Sequence, residues 1–188
     1  MSAHPEIAAV ILAGGRGSRM GGVDKGLQDF HGRPLIAWVL AALRPQVATL
    51  CISANRNLDV YAAHGAPVVT DNLPDFAGPL AGVLAALDII TSTWLLVVPC
   101  DVPHLPADLA QRLYATAQAA NAPLAVAAAG GRTHHTSMLL RVELKNDLQQ
   151  FMQAGGRAVR DWQARHACAV AEFDPAQFAN CNRLDDLQ

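Results

Sequence analysis

One stretch narrows the choice of fold more than any other: IAAVILAGGRGSRMGGVDKGL, from Ile7 to Leu27. It opens with a charge-free apolar run, Ile7 to Leu12, which reads as a strand of a parallel sheet buried on both faces. The chain passes straight into a loop with five glycines in the nine positions from Gly14 to Gly22, two arginines, and Asp24-Lys25-Gly26 beyond. Glycine lets the main chain come close to a ligand and turn with φ > 0. Successive N–H groups and basic side chains then form a concave site for anions, above all phosphates. The plain alternative is a Gly-rich turn with solvated charges. The loop is not a Walker A loop, because Asp24 precedes Lys25 and Gly26 follows it, where that motif has Gly before and Ser or Thr after. Gly15-Arg16-Gly17-Ser18-Arg19-Met20 falls short of the dinucleotide fingerprint, since Met20 stands at the third glycine position and would obstruct helix–strand packing. An oxidoreductase is therefore the least favoured enzyme class.

Beyond this stretch, strand-like apolar runs alternate with helix-like segments, the pattern of an α/β domain with a mainly parallel sheet. Strands are expected at about residues 8–12, 49–53, 67–70, 94–98, 124–129, 136–140 and 167–173. Helices are expected at about 34–43, 58–63, 80–89, 106–119, 143–153 and 158–165, with a last short one after Asn182. Pro34 suits the first position of its helix, and Gly130-Gly131 marks a turn between two strands. In an open parallel sheet, ligands bind outside the carboxyl ends of the strands. The Gly-rich loop, Ser53, Asn55, Asp71 and Asp101 all follow strands directly, so they are expected along one edge.

Bulk properties exclude several classes. At 188 residues and 52% hydrophobic, the chain is most simply one domain with a sizeable core. A formal net charge of -2 gives no global field for nucleic acid or an anionic membrane. Cys51, Cys100, Cys168 and Cys181 are scattered without a Cys-x-x-Cys, which fits reduced thiols better than zinc or a disulfide framework. The first residues lack the basic and apolar segments of a signal peptide, and no run approaches the roughly 20 apolar residues of a membrane span. A cytoplasmic protein is expected.

Individual residues carry competing readings. Asp101, an isolated carboxylate immediately after an apolar strand, is either a turn or N-cap aspartate or a ligand for Mg²⁺, which takes one or two carboxylates together with substrate phosphates. Lys25 is a mobile point charge suited to phosphate oxygens. Asn55 and Asp71 either form turns or pair with nucleoside N–H and hydroxyl groups. Gly82, early in a helix, costs about 1 kcal/mol against Ala, so close approach of another group is a reasonable cause. His134-His135 reads as part of a polar hairpin rather than a metal pair, because adjacent strand residues point to opposite faces.

The strings Leu12-Ala13-Gly14-Gly15 and Arg19-Met20-Gly21-Gly22-Val23-Asp24-Lys25-Gly26-Leu27 closely resemble the signature of nucleotidyltransferases with a Rossmann-like fold. Within these they resemble the molybdenum cofactor guanylyltransferases, since Asp24 stands where cytidylyl and sugar-nucleotide relatives tend to have Pro. Gly78-Pro79-Leu80-Ala81-Gly82 is similar to a family segment against the base, and Pro99-Cys100-Asp101-Val102-Pro103 to the family's metal-binding segment. Asn180-Cys181-Asn182 is similar to an Asn-x-Asn element facing the pterin. The chain departs at Ser53, where the family often has Asn, and at Arg183-Leu184-Asp185-Asp186, which only partly matches the family's ending.

The resemblance implies a single-domain three-layer α/β/α sandwich of the nucleotide-diphospho-sugar-transferase type. Residues 7–125 would form its nucleotide-binding part and 126–188 its acceptor-binding part. It implies GTP binding by Leu12, Ala13, Gly14, Gly15, Lys25, Ser53 or Asn55, Asp71, Gly78, Gly82 and Asp101. Mg²⁺ would sit on Asp101, and the acceptor on Arg19, Asn180 and Asn182. The implied reaction is transfer of GMP from Mg·GTP to the phosphate of molybdopterin, with pyrophosphate leaving and Lys25, Asp101 and Arg19 as the catalytic groups. Proteins that deliver or collect the cofactor are implied as transient partners, with neither nucleic acid nor a membrane. The rivals are a cytidylyl or sugar-phosphate nucleotidyltransferase and a non-catalytic nucleotide-binding module on the same fold.

Overall fold

The computed structural model describes residues 6–14, 24–71 and 78–178. Along the chain run β1 (Ile7–Leu12), β2 (Asp29–Phe30), β3 (Arg33–Pro34), α1 (Leu35–Leu43), β4 (Thr49–Ser53), α2 (Leu58–Ala62) and β5 (Val68–Val69). Then come α3 (Pro79–Leu87), β6 (Trp94–Pro99), α4 (Leu109–Ala119), β7 (Leu124–Ala129), β8 (Arg132–Arg141), α5 (Lys145–Gln153), α6 (Val159–Gln163) and β9 (Cys168–Phe173). Seven strands make one sheet in the order β5-β4-β1-β6-β8-β7-β9. All pairings are parallel except those of β8, which runs antiparallel to both β6 and β7. The mainly parallel single-domain α/β architecture expected from the sequence is the one observed.

The charge-free runs are explained by what covers the sheet. Successive strand residues point to opposite faces. Ala9 and Ile11 of β1 and Leu96 and Val98 of β6 lie in one core, with Ile36, Val39, Leu40 and Leu43 of α1 and Leu109 and Leu113 of α4. The intervening Ala8, Val10, Leu95 and Val97 lie in the other, with Leu80 and Val83 of α3, Leu148 of α5 and Trp162 of α6. The 36-39-40-43 spacing is one helical stripe. A polar side chain at any of these strand positions would be sealed from water on either face.

Several boundaries differ from expectation. Pro34 caps α1 instead of opening it, with φ −63° and ψ 145°. The proline ring fixes φ alone, and pairing of Asp29 with Pro34 and Phe30 with Arg33 in a small hairpin keeps the residue extended. Residue 106 starts a turn, Leu109 N–H donating to the Pro106 carbonyl at 3.3 Å, and α4 begins only at Leu109. β8 starts at Arg132, four residues earlier than the apolar pattern indicates. Its pairing with β7 slips between Val126, opposite Met138, and Ala127, opposite His134. Residues 135–137 therefore bulge from the ladder, next to the end of β6. The helix expected after Asn182 lies outside the described residues.

Candidate active site

Backbone hydrogen bonds tie the carboxyl ends of the central strands together. Ala13 N–H donates to the Ser53 carbonyl at 2.8 Å, Cys100 N–H to Leu12 at 3.1 Å and Ala54 N–H to Val69 at 3.0 Å. Above this edge lies a cavity of about 370 Å³. Leu12 and Gly14 at the end of β1, Ser53 and Asn55 at the end of β4, and Asp71 after β5 line one side; Gly78, Pro79 and Gly82 of the α3 start, with Pro99 and Thr136, line the other. Leu12 and Gly82, 70 positions apart in sequence, are thus neighbours at the cavity floor because parallel strands deliver their following loops to one rim.

The wall at β4 and β5 is built from two side chains. Asn55 Nδ2 donates to Asp71 Oδ2 at 2.8 Å, and Asp71 N–H donates to Asn55 Oδ1 at 3.1 Å. The pair holds an amide and a carboxylate side by side, which leaves acceptor capacity for N–H donors or ribose hydroxyls. Ser53 sits deeper, only 3% exposed. A Cβ at Gly82 would run into Ser53 Oγ and lie 3.0 Å from Leu12 Cδ2. That close approach is the reason for glycine inside the first turns of α3.

Further along the rim, Lys25 opens a short 3-10 turn, Lys25–Leu27, and Asp101 follows β6. Lys25 Nζ donates to Asp101 Oδ2 at 2.8 Å, across 76 positions of sequence. The two side chains are 28% and 14% exposed. A carboxylate and an ammonium thus share one spot at strand ends. Among the described residues no three His, Cys, Asp or Glu side chains gather to hold a metal. A lone carboxylate fits Mg²⁺ nevertheless, because that ion commonly completes its shell with phosphate oxygens and water. Burial, together with the charges of Asp101 and Asp24, pushes the neighbouring Cys100 thiol well above its usual range. It stays protonated and is no nucleophile. Cys51 and Cys168 are also free, their thiols raised by burial to about 11.

Gly15, Arg19, Asn180 and Asn182, with the rest of the Gly-rich loop and Cys181, lie outside the described residues. The adjacent histidines turn to separate partners: His135 Nδ1 lies 2.6 Å from Gln163 Oε1, and the His134 ring packs on Phe178. Sequence reasoning missed Pro99 and Thr136 in the cavity wall, and it took Asp24 only as a mark of the family branch. Thr136 reaches the rim because β8 is antiparallel and presents its early residues there; a strand expected from 136 onward gives no such signal.

The family model described as "MobA-like NTP transferase domain" matches residues 9–169. The molybdenum cofactor guanylyltransferase of Acidovorax sp. (strain JS42) is 49% identical, over 97% of this chain and 93% of that protein. The protein of the same name from Cupriavidus taiwanensis is 46% identical over 100% of this chain and 98% of its own length. In three dimensions the chain is similar to molybdopterin-guanine dinucleotide biosynthesis protein A from Archaeoglobus fulgidus, with a TM-score of 0.77 over 96% of this chain and 94% of that one. At 20% identity that likeness bears on the fold alone. With the strand-end cavity and the family match, the chain belongs to the molybdenum cofactor guanylyltransferases, within the MobA-like NTP transferases.

Proposed function

We propose that this chain transfers GMP from GTP to the terminal phosphate of molybdopterin and releases pyrophosphate. The observation that carries the reading is the Lys25–Asp101 pair at the strand ends, Asp101 standing two residues past the cavity-lining Pro99. An acceptor phosphate oxygen forms a bond to the α-phosphorus of GTP. The bond from that phosphorus to the bridging oxygen breaks, and its electron pair leaves with pyrophosphate. A phosphate monoester has a second pKa of about 6, so the nucleophile is already ionised at neutral pH and no general base is needed. That agrees with the buried, protonated Cys100.

The chemical difficulty is repulsion between two anions, so catalysis is positioning plus charge neutralisation. Lys25 takes triphosphate oxygens. Asn55 and Asp71 grip the nucleoside, with Ser53 and the Leu12–Gly14 backbone beneath it. Mg²⁺, held by Asp101 and phosphate oxygens, would supply the remaining positive charge. The acceptor is assigned to Arg19, Asn180 and Asn182 on the family resemblance. The relatives' shared name favours guanylyl over cytidylyl transfer.

Pyrophosphate release from GTP in the presence of molybdopterin tests the reading, with CTP as control. Lys25→Ala and Asp101→Ala are each expected to lower turnover by about 100-fold or more, the usual cost of one well-placed charge-stabilising group. Circular dichroism should find both folded. Near-normal turnover in either variant removes the proposed chemistry.

A further inference from the structure

The residue before Lys25 is a buried carboxylate that the proposed chemistry leaves without a task. Asp24 is only 8% exposed. Tyr61 Oη donates to its Oδ1 at 2.5 Å, and Asn57 Nδ2 donates to its Oδ2 at 2.9 Å. Arg56 Nε lies 3.5 Å from the same Oδ2. Its carbonyl accepts from Leu27 N–H at 3.2 Å and from Gln28 Nε2 at 3.3 Å, closing the turn that carries Lys25. Tyr61 is fully buried, and a Cβ at Gly26 would lie 2.5 Å from its hydroxyl, so the turn is pressed directly onto this tyrosine.

A buried carboxylate is costly unless its hydrogen bonds are satisfied, and here both oxygens are engaged by one neighbouring segment, residues 56–61. The same connection after β4 carries Asn55, which faces the cavity and holds Asp71. Neighbouring residues of a 3-10 turn point in different directions. Asp24 therefore grips the nucleoside-side connection while Lys25 reaches the opposite way, to Asp101. We propose that Asp24 is a positioning residue: by locking the Lys25 turn onto the Asn55–Asn57 connection, it sets the Lys25 ammonium at a fixed distance from the nucleoside end of the cavity, where the triphosphate must lie. The proposal rests on the nucleotidyltransferase reading above.

Asp24→Asn keeps the volume but places an amide N–H₂ against the donors of Asn57 and Arg56 or against Tyr61. The full-length wild type, Asp24→Asn, Lys25→Met and the double variant are compared, with GTP affinity read by calorimetry in EDTA and guanosine affinity by ligand-observed NMR. Asp24→Asn is expected to weaken GTP by about tenfold, within the range for groups in contact, and to leave guanosine within about twofold. In the Lys25→Met background the same change should cost GTP nothing further. Equal losses for both ligands, or an undiminished loss without Lys25, overturn the proposal and leave Asp24 a purely structural carboxylate. Should Asp24→Asn melt below the assay temperature, Tyr61→Phe, which removes one donor, replaces it in the same cycle with the same expected sign. If the wild type releases no pyrophosphate from GTP, the guanylyltransferase reading falls. The affinity cycle, run with whichever of GTP and CTP binds, still decides the role of Asp24.

Discussion

At the scale of single residues, Gly82 offers the sharpest test of the cavity floor. Any side chain there must displace Ser53 or Leu12. Gly82→Val should weaken guanosine and GTP alike by about tenfold or more, because overpacking of this kind costs about 1–3 kcal/mol; calorimetry with both ligands checks it. A variant that weakened GTP alone would place the nucleoside elsewhere. The glycine was legible in the sequence as a site of close approach, but its partner was not, since no local pattern says that Ser53 arrives from a strand 29 positions away. Lys25 and Asp101 were legible for the same reason: each stands next to an unambiguous signal, a glycine-rich loop and a charge-free strand. Asp24 hid because its partners, Asn57 and Tyr61, belong to an unremarkable short helix and its lead-in.

Among elements, the strands buried on both faces were readable because an apolar run of their length has few other uses. β8 was harder. Its first residues, Arg132 to Thr136, are polar and exposed or half-exposed, and the bulge at 135–137 follows from pairing with two neighbours rather than from local preference. α5 and α6 were readable as helices, but what joins them was not. Asp147 of α5 accepts from Trp162 Nε1 at 2.9 Å and from Arg165 Nη2 at 2.8 Å, with His166 Nε2 at 2.9 Å. The Arg165 guanidinium foremost, then Trp162 and His166, holds this carboxyl down to about 2 from its ordinary 3.8. A group whose folded pKa is depressed adds stability above its unfolded pKa and loses it as pH falls through the folded one. The Asp147 link should therefore be intact above about pH 4 and vanish between about pH 4 and 2. Thermal melts across that window should fall less steeply for Asp147→Asn than for the wild type, and the variant should melt lower at neutral pH. Parallel curves would mean the link stabilises nothing.

For the whole molecule, the sheet is continuous from β5 to β9, so β8, late in the chain, hydrogen-bonds directly to β6, which precedes residue 125. No seam separates residues before and after 125. Heat should unfold the chain in one cooperative step, seen as a single calorimetric transition whose van't Hoff and calorimetric enthalpies agree. Leu96→Ala, emptying a fully buried site at the sheet centre, should lower stability by about 2–5 kcal/mol while leaving the ratio of GTP to guanosine affinity unchanged. Two transitions would instead divide the molecule into two units. No described helix is long and apolar enough to cross a membrane.

The sheet's two outer margins also bear on how the molecule behaves in a crowd. An unpaired strand margin is a template on which another chain can add and aggregate. β5 offers only two residues there. β9 is longer, and the Arg112 guanidinium donates to its Glu172 carbonyl while lying over the Phe173 ring. One margin is too brief to recruit a stranger and the other is partly occupied by a fixed cation, so the same sheet that gathers the site along its rim gives little purchase for growth into fibrils.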